Sequence, residues 1–93
     1  MRRRARVDAN HAAIVEALRR TGCSVLSLAS IGKGAPDLLV GIHGRNVLLE
    51  VKAEKGLLRA NQAAWRSNWL GPVWTVRTPA EAIAALKEEF DDD

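Results

Sequence analysis

Asp37, Glu50 and Lys52 are the residues whose types and spacing point most directly to chemistry. They lie in the stretch 36–52, Pro-Asp-Leu-Leu-Val-Gly-Ile-His-Gly-Arg-Asn-Val-Leu-Leu-Glu-Val-Lys. Two apolar runs, Leu38–Ile42 and Val47–Val51, flank a polar break at 43–46, which predicts two antiparallel strands joined by a tight turn. With Gly44 and Arg45 as the central turn residues, His43 pairs with Asn46, Leu39 lies opposite Glu50, and Asp37 lies opposite Lys52. Alternation along the strands then brings Asp37, Glu50 and Lys52 to one face, at the end away from the turn. A turn one residue longer would reverse that parity.

Two neighbouring carboxylates inside apolar strands repel one another and lose hydration unless a cation lies between them. A divalent metal suits the position. Mg²⁺ takes oxygen ligands and is commonly held by one or two carboxylates, waters and substrate phosphates. Lys52 beside such an ion could orient or deprotonate an attacking water, or neutralise charge developing on a phosphate.

The 93 residues suffice for one domain (1–93), in which 1–6 form a basic arm and 91–93 an acidic tail. Apolar content is 47%, and no apolar run approaches the ~20 residues of a membrane span. The start, Met-Arg-Arg-Arg-Ala-Arg, leads into no hydrophobic stretch of signal-peptide type, so the expectation is a soluble cytoplasmic protein without a membrane partner. A single cysteine, Cys23, excludes an internal disulfide and a thiolate metal site, and reads as a small buried hydrophobe. The net charge of +3 includes Arg2, Arg3, Arg4 and Arg6 at the start. Such an arm can hold nucleic-acid phosphates, although a solvated arm is an equally common use of the pattern.

Periodicity supplies the elements that must position the three residues. A helix is predicted over 8–21, with Ile14, Val15 and Leu18 on its apolar stripe, Glu16 facing solvent and Gly22 as its stop. Asp8 reads as its N-cap, and His11 as a surface residue. A strand follows at 24–28, then a Gly-Lys-Gly loop in which Lys33 could touch a phosphate. This loop lacks Walker spacing and a following helix, so no nucleotide cofactor is expected.

Beyond the hairpin, a polar turn containing Lys55 enters a helix over 58–70, stopped by Gly71-Pro72. Leu58, Gln62, Trp65 and Trp69 share one face of it. Trp65 and Trp69 read as core or subunit interface, and Arg59 and Arg66, off that face, as contacts to the backbone of a bound duplex. Gln62 on a core-facing stripe needs a polar partner, or else turns toward solvent. A strand at 73–76 and a helix over 79–89 complete the chain, the latter started by Thr78-Pro79-Ala80-Glu81. A final strand reached by a helical crossover is expected to run parallel to the second hairpin strand if adjacent to it.

The residues Pro36-Asp37 and Glu50-Val51-Lys52 resemble the signature of the PD-(D/E)XK nuclease superfamily. With Gly34-Ala35-Pro36-Asp37-Leu38-Leu39, Leu48-Leu49-Glu50-Val51-Lys52 and Gln62, the chain from about Asp8 to Leu86 is similar to the virus-type replication and repair nuclease family, VRR-NUC. The resemblance implies a restriction-endonuclease-like α/β fold of order αβββαβα, a mixed central sheet flanked by helices. It also implies Asp37 and Glu50 as ligands of Mg²⁺ or Mn²⁺ and the Val51 carbonyl as a third. Asp8 is the loose match to an acid from the first helix, and Gln62 matches part of the site. The implied activity is DNA phosphodiester hydrolysis by a homodimer that selects branched DNA such as four-way junctions. Lys33, Lys55, Arg59, Arg3 and Arg4 are the expected DNA contacts. The alternative is a DNA-binding or assembly module that keeps such a fold without its chemistry.

Overall fold

The computed structural model describes residues 2–91, with side chains from Asn10 onward. Its elements are α1 (Arg2–Arg20), β1 (Ser24–Ser27), β2 (Leu38–Ile42), β3 (Arg45–Val51), α2 (Ala60–Ser67), β4 (Val73–Val76) and α3 (Pro79–Phe90). The strands form one sheet in the order β1-β2-β3-β4. β1, β2 and β3 pair antiparallel, whereas β4 runs parallel to β3, as a helical crossover between them requires. The chain is therefore a small α/β domain with a mixed four-stranded sheet.

The hairpin register differs from the expected one. Ile42 pairs with Arg45, so His43 and Gly44 are the central turn residues, with φ of 52° and 79°. Both angles are positive, as a type I′ turn demands, and this turn matches the right-handed twist of the strands. Glycine meets that demand at its second central position, and His43 accepts a left-handed conformation at the first. Leu39 consequently faces Leu48 rather than Glu50. The regular pairing ends at Leu38–Leu49, which leaves Asp37 beside the Leu49–Val51 segment of β3 rather than opposite Lys52. The slip is two residues, so every side chain keeps its face.

One face of the sheet carries Leu38, Val40, Val47, Leu49, Val51 and Val76, all buried, in the cross-strand pairs Leu38–Leu49, Val40–Val47 and Val51–Val76. Ile14 and Leu18 of α1 and Ala82, Ala85 and Leu86 of α3 close over them. Each large aliphatic side chain withdrawn here stabilises the fold by roughly 1.5–3 kcal/mol relative to exposure. Cys23 joins this cluster, and burial pushes its thiol above the usual range. Thr78 accepts from the Glu81 N–H at 3.0 Å and Pro79 opens α3, as the start signal indicates.

Two helices have other limits than their apolar periodicity suggests. α1 begins at Arg2, because arginine is a good helix former and no breaker precedes Asp8. Asp8 therefore lies inside the helix and is not its N-cap. The backbone of the basic arm, Arg3 and Arg4 included, is likewise helical; the side chains of Asp8, Arg3 and Arg4 lie outside the described ones, as do Asp92 and Asp93 of the acidic tail. α2 is shorter than 58–70. Arg59 is extended at its start (φ −80°, ψ 166°), and Ser67 and Asn68 both donate to the Ala64 carbonyl at its end. Those side-chain bonds compete with continuation of the helix before Gly71-Pro72.

The other face of the sheet carries Leu39, Leu48, Glu50 and Thr75, and α2 lies over its β3–β4 part. Gly34, buried at φ +85°, packs against the first turn of α2. A Cβ there would overlap the Asn61 carbonyl. Gly34→Ala is expected to destabilise the protein by about 3 kcal/mol, from left-handed strain and overpacking together, measured as a lowered urea midpoint. An unchanged midpoint would mean that the loop and α2 are not packed this way.

Candidate active site

Asp37 and Glu50 meet at the end of the hairpin away from the turn. Pro36 cannot donate a backbone hydrogen bond, so the ladder between β2 and β3 ends here. The Asp37 side chain extends it by one bond, its Oδ2 accepting from the Val51 N–H at 2.7 Å, while the Asp37 N–H donates to the Leu49 carbonyl at 3.1 Å. This leaves the Asp37 carboxylate fixed on the flank of β3, half-buried, beside Glu50.

Glu50 is the one charged or polar residue counted in the buried set of the described residues, at 3% exposure. Its Oε2 accepts from Gln62 Nε2 at 2.9 Å, and Gln62 Oε1 accepts from the Arg59 N–H at 2.8 Å. Gln62 therefore satisfies the start of α2 with one end and Glu50 with the other. Burial pushes the Glu50 carboxyl up to about 8. The charge of Asp37 and a hydrogen bond between the two carboxyls act in the same direction, opposed by Lys52 and Arg66. Burial and the Asp37 charge therefore favour the neutral form of Glu50.

Lys52 follows on the same face of β3. Its backbone is anchored on both sides: the N–H donates to the Val76 carbonyl at 3.0 Å, and its carbonyl accepts from Asn10 Nδ2 of α1 at 3.1 Å. Asn10 thus ties the middle of α1 to the end of β3. Its neighbour His11 is half-buried rather than a surface residue, with Nε2 shielded from solvent and given no partner by the described residues. Glu16 is exposed and pairs with Arg20 at 3.0 Å, as expected of a solvent-facing position.

The expected nucleic-acid residues Lys33, Lys55 and Arg59 are all exposed. The contact between Gly34 and Asn61 brings Lys33 and Arg59 to the N-terminal end of α2, and Arg77 Nη2 holds the loop containing Lys55 through the Gly56 carbonyl at 2.7 Å. Arg66 does not project toward solvent, correcting the expectation that it reaches a duplex. It is half-buried, donating through Nη2 to the Val73 carbonyl at 2.8 Å and through Nη1 to Thr75 Oγ1. Helical projection missed this because the partners lie on β4, which α2 overlies. The two tryptophans stack on each other with centroids 4.8 Å apart, but neither is core: Trp65 is half-buried and Trp69 is 47% exposed.

The donor set fits a hard divalent cation. Asp37 and Glu50 supply neighbouring carboxyl oxygens, one side chain fixed by the Val51 N–H and the other by Gln62, as an oxygen-preferring cation requires. Among the described residues no group of three His, Cys, Asp or Glu side chains is assembled, so water, a backbone carbonyl and substrate oxygens would complete the shell. Compared with protein-family models, curated proteins and solved structures, the chain finds no match.

The raised carboxyl has a measurable consequence. Between the ordinary glutamate value of 4.5 and about 8, the folded state holds a proton on Glu50 that the unfolded chain releases. The resulting stability is complete below that window and is lost as pH rises through it, at up to ~1.4 kcal/mol per pH unit. Urea unfolding in chelator is expected to show this fall between pH 5 and pH 8, and Glu50→Gln should flatten it. A flat wild-type profile would mean that Glu50 is ionised throughout.

Proposed function

We propose that the chain is a divalent-metal-dependent endonuclease that hydrolyses DNA phosphodiester bonds, of the PD-(D/E)XK type and similar to VRR-NUC proteins. The observation that carries this reading is the Asp37–Glu50 pair, two neighbouring carboxyls at the end of the hairpin, Asp37 held by the Val51 N–H and Glu50 buried and held by Gln62, with Lys52 following on the same face. The succession of one helix, three strands, helix, strand and helix supports a restriction-endonuclease-like reading of the mixed sheet. A structural role explains the pair less well, since neutral residues would avoid the repulsion and the desolvation.

Asp37, Glu50 and the Val51 carbonyl would hold Mg²⁺ or Mn²⁺. The bound ion supplies charge compensation at the scissile phosphate and a more acidic water. Asp37 is kept in place by the Val51 N–H, and Glu50 by Gln62. Lys52 orients the attacking water or donates to a non-bridging phosphate oxygen. Lys33, Lys55 and Arg59 present positive charge to the strand entering the site, and Arg3 and Arg4 of the basic arm are further proposed DNA contacts. Asp8 in α1 is a further candidate ligand.

The preferred substrate in this reading is branched DNA, cut by a homodimer. A chain with principal extents of 40 × 29 × 23 Å offers one small basic footprint, and a two-fold pair doubles it. No helix among the described residues is long and apolar enough to cross a membrane.

The test is incubation with duplex, flap and four-way DNA in Mn²⁺. Wild type is expected to cut the branched substrates. Lys52→Ala should lower the rate at least ~10²-fold while retaining Mn²⁺ binding by calorimetry, and Asp37→Ala should lose both. Binding of DNA without cleavage or any metal response would instead identify a non-catalytic DNA-binding module. Sedimentation at micromolar concentration is expected to give twice the chain mass of 10.1 kDa, and a monomer would remove the two-fold arrangement.

A further inference from the structure

α2 lies over the candidate site although none of its residues is fully buried. An amphipathic helix is ordinarily held by its apolar face. Here side-chain bonds from two positions one turn apart reach the sheet. Gln62 donates to Glu50 on β3, and Arg66 donates to Thr75 and to the Val73 carbonyl on β4. Glu50 and Thr75 are themselves register partners across the parallel β3–β4 ladder, as are Leu48 and Val73. The helical i,i+4 spacing thus matches the step between neighbouring strands. The planar guanidinium, with its several donors, engages two acceptors on one strand at once.

We propose that Arg66 is a positioning residue of the candidate active site, clamping α2 to β4 so that Gln62 stays against the Glu50 carboxylate. Arg66 touches neither metal nor DNA in this role. It acts through the helix, and the inference rests on the nuclease reading only for its effect on turnover.

The test compares wild type with Arg66→Met, Arg66→Lys and the milder Thr75→Val, which removes one acceptor while keeping side-chain shape. The first readout is the side-chain amide signal of Gln62 by NMR, which needs neither metal nor DNA. In wild type the bond to Glu50 should displace it. Arg66→Met should return it to the position of a free glutamine amide while the signals of β2, β3 and α3 stay in place, and Thr75→Val should move it part of the way. The second readout is cleavage in Mn²⁺. A displaced Gln62 should lower kcat by about 10²-fold in Arg66→Met with KM for DNA nearly unchanged, and Arg66→Lys, which retains one donor group, should recover part of it.

An unmoved Gln62 amide in a folded Arg66→Met variant overturns the proposal. So does a raised KM at unchanged kcat, which would make Arg66 a DNA contact. If Arg66→Met does not fold, Thr75→Val decides by the same amide signal. A shifted amide in a protein that cleaves no DNA keeps the clamp and removes the nuclease reading, so the two fail separately.

Discussion

The arrangement of this site depends on one hydrogen bond, from the Val51 N–H to the Asp37 carboxylate. Pro36 ends the β2–β3 ladder, and the side chain of the next residue does the work of a backbone carbonyl there. That bond draws a carboxylate against the flank of β3, where the neighbouring side chain on the same face is Glu50. Two acids are thereby placed in contact by the way a hairpin finishes. Burial and the repulsion this creates push the Glu50 carboxyl up, opposed by the nearby positive charges of Lys52 and Arg66.

The rest of the molecule divides according to that pair. One face of the sheet is an ordinary aliphatic layer beneath α1 and α3, where the buried methyl and methylene groups supply the stability. The opposite face has polar residues, and its helix is held largely by amide and guanidinium groups. A face held this way contributes less per contact, because each hydrogen bond formed replaces one to water. It contributes direction instead: Gln62 can satisfy both Arg59 and Glu50 in one orientation only. A proposed metal site gains from such rigidity, since its carboxylate oxygens are aimed before any ion arrives.

The turn at His43-Gly44 links local backbone chemistry to the site. Type I′ geometry moves the centre of the hairpin back by one residue and shifts the pairing by two. A shift of one would have sent Asp37 and Glu50 to opposite sides of the sheet. A shift of two keeps them together and makes them direct neighbours, so the pair is closer than the pattern of apolar residues alone implies. The Asn10 bond to the Lys52 carbonyl shows that α1 reaches the same region.

Residue order alone determined the hairpin, its inward parity, the parallel fourth strand and the start of α3, because these follow from alternation, turn composition, crossover geometry and a capping pattern, all local in the chain. The same is true of Asp37, Glu50 and Lys52 as the residues to watch. Tertiary structure decided the neighbour of Asp37 and the inward turn of Arg66. Each of these depends on groups distant in sequence or on one turn residue accepting a positive φ. Apolar periodicity reports which side of an element faces the core and carries no signal for a polar bond between a helix and a neighbouring strand. For that reason Gln62 was legible as a residue in need of a partner, while the partner itself, and the guanidinium that keeps the helix over it, emerged only when the strands were set side by side.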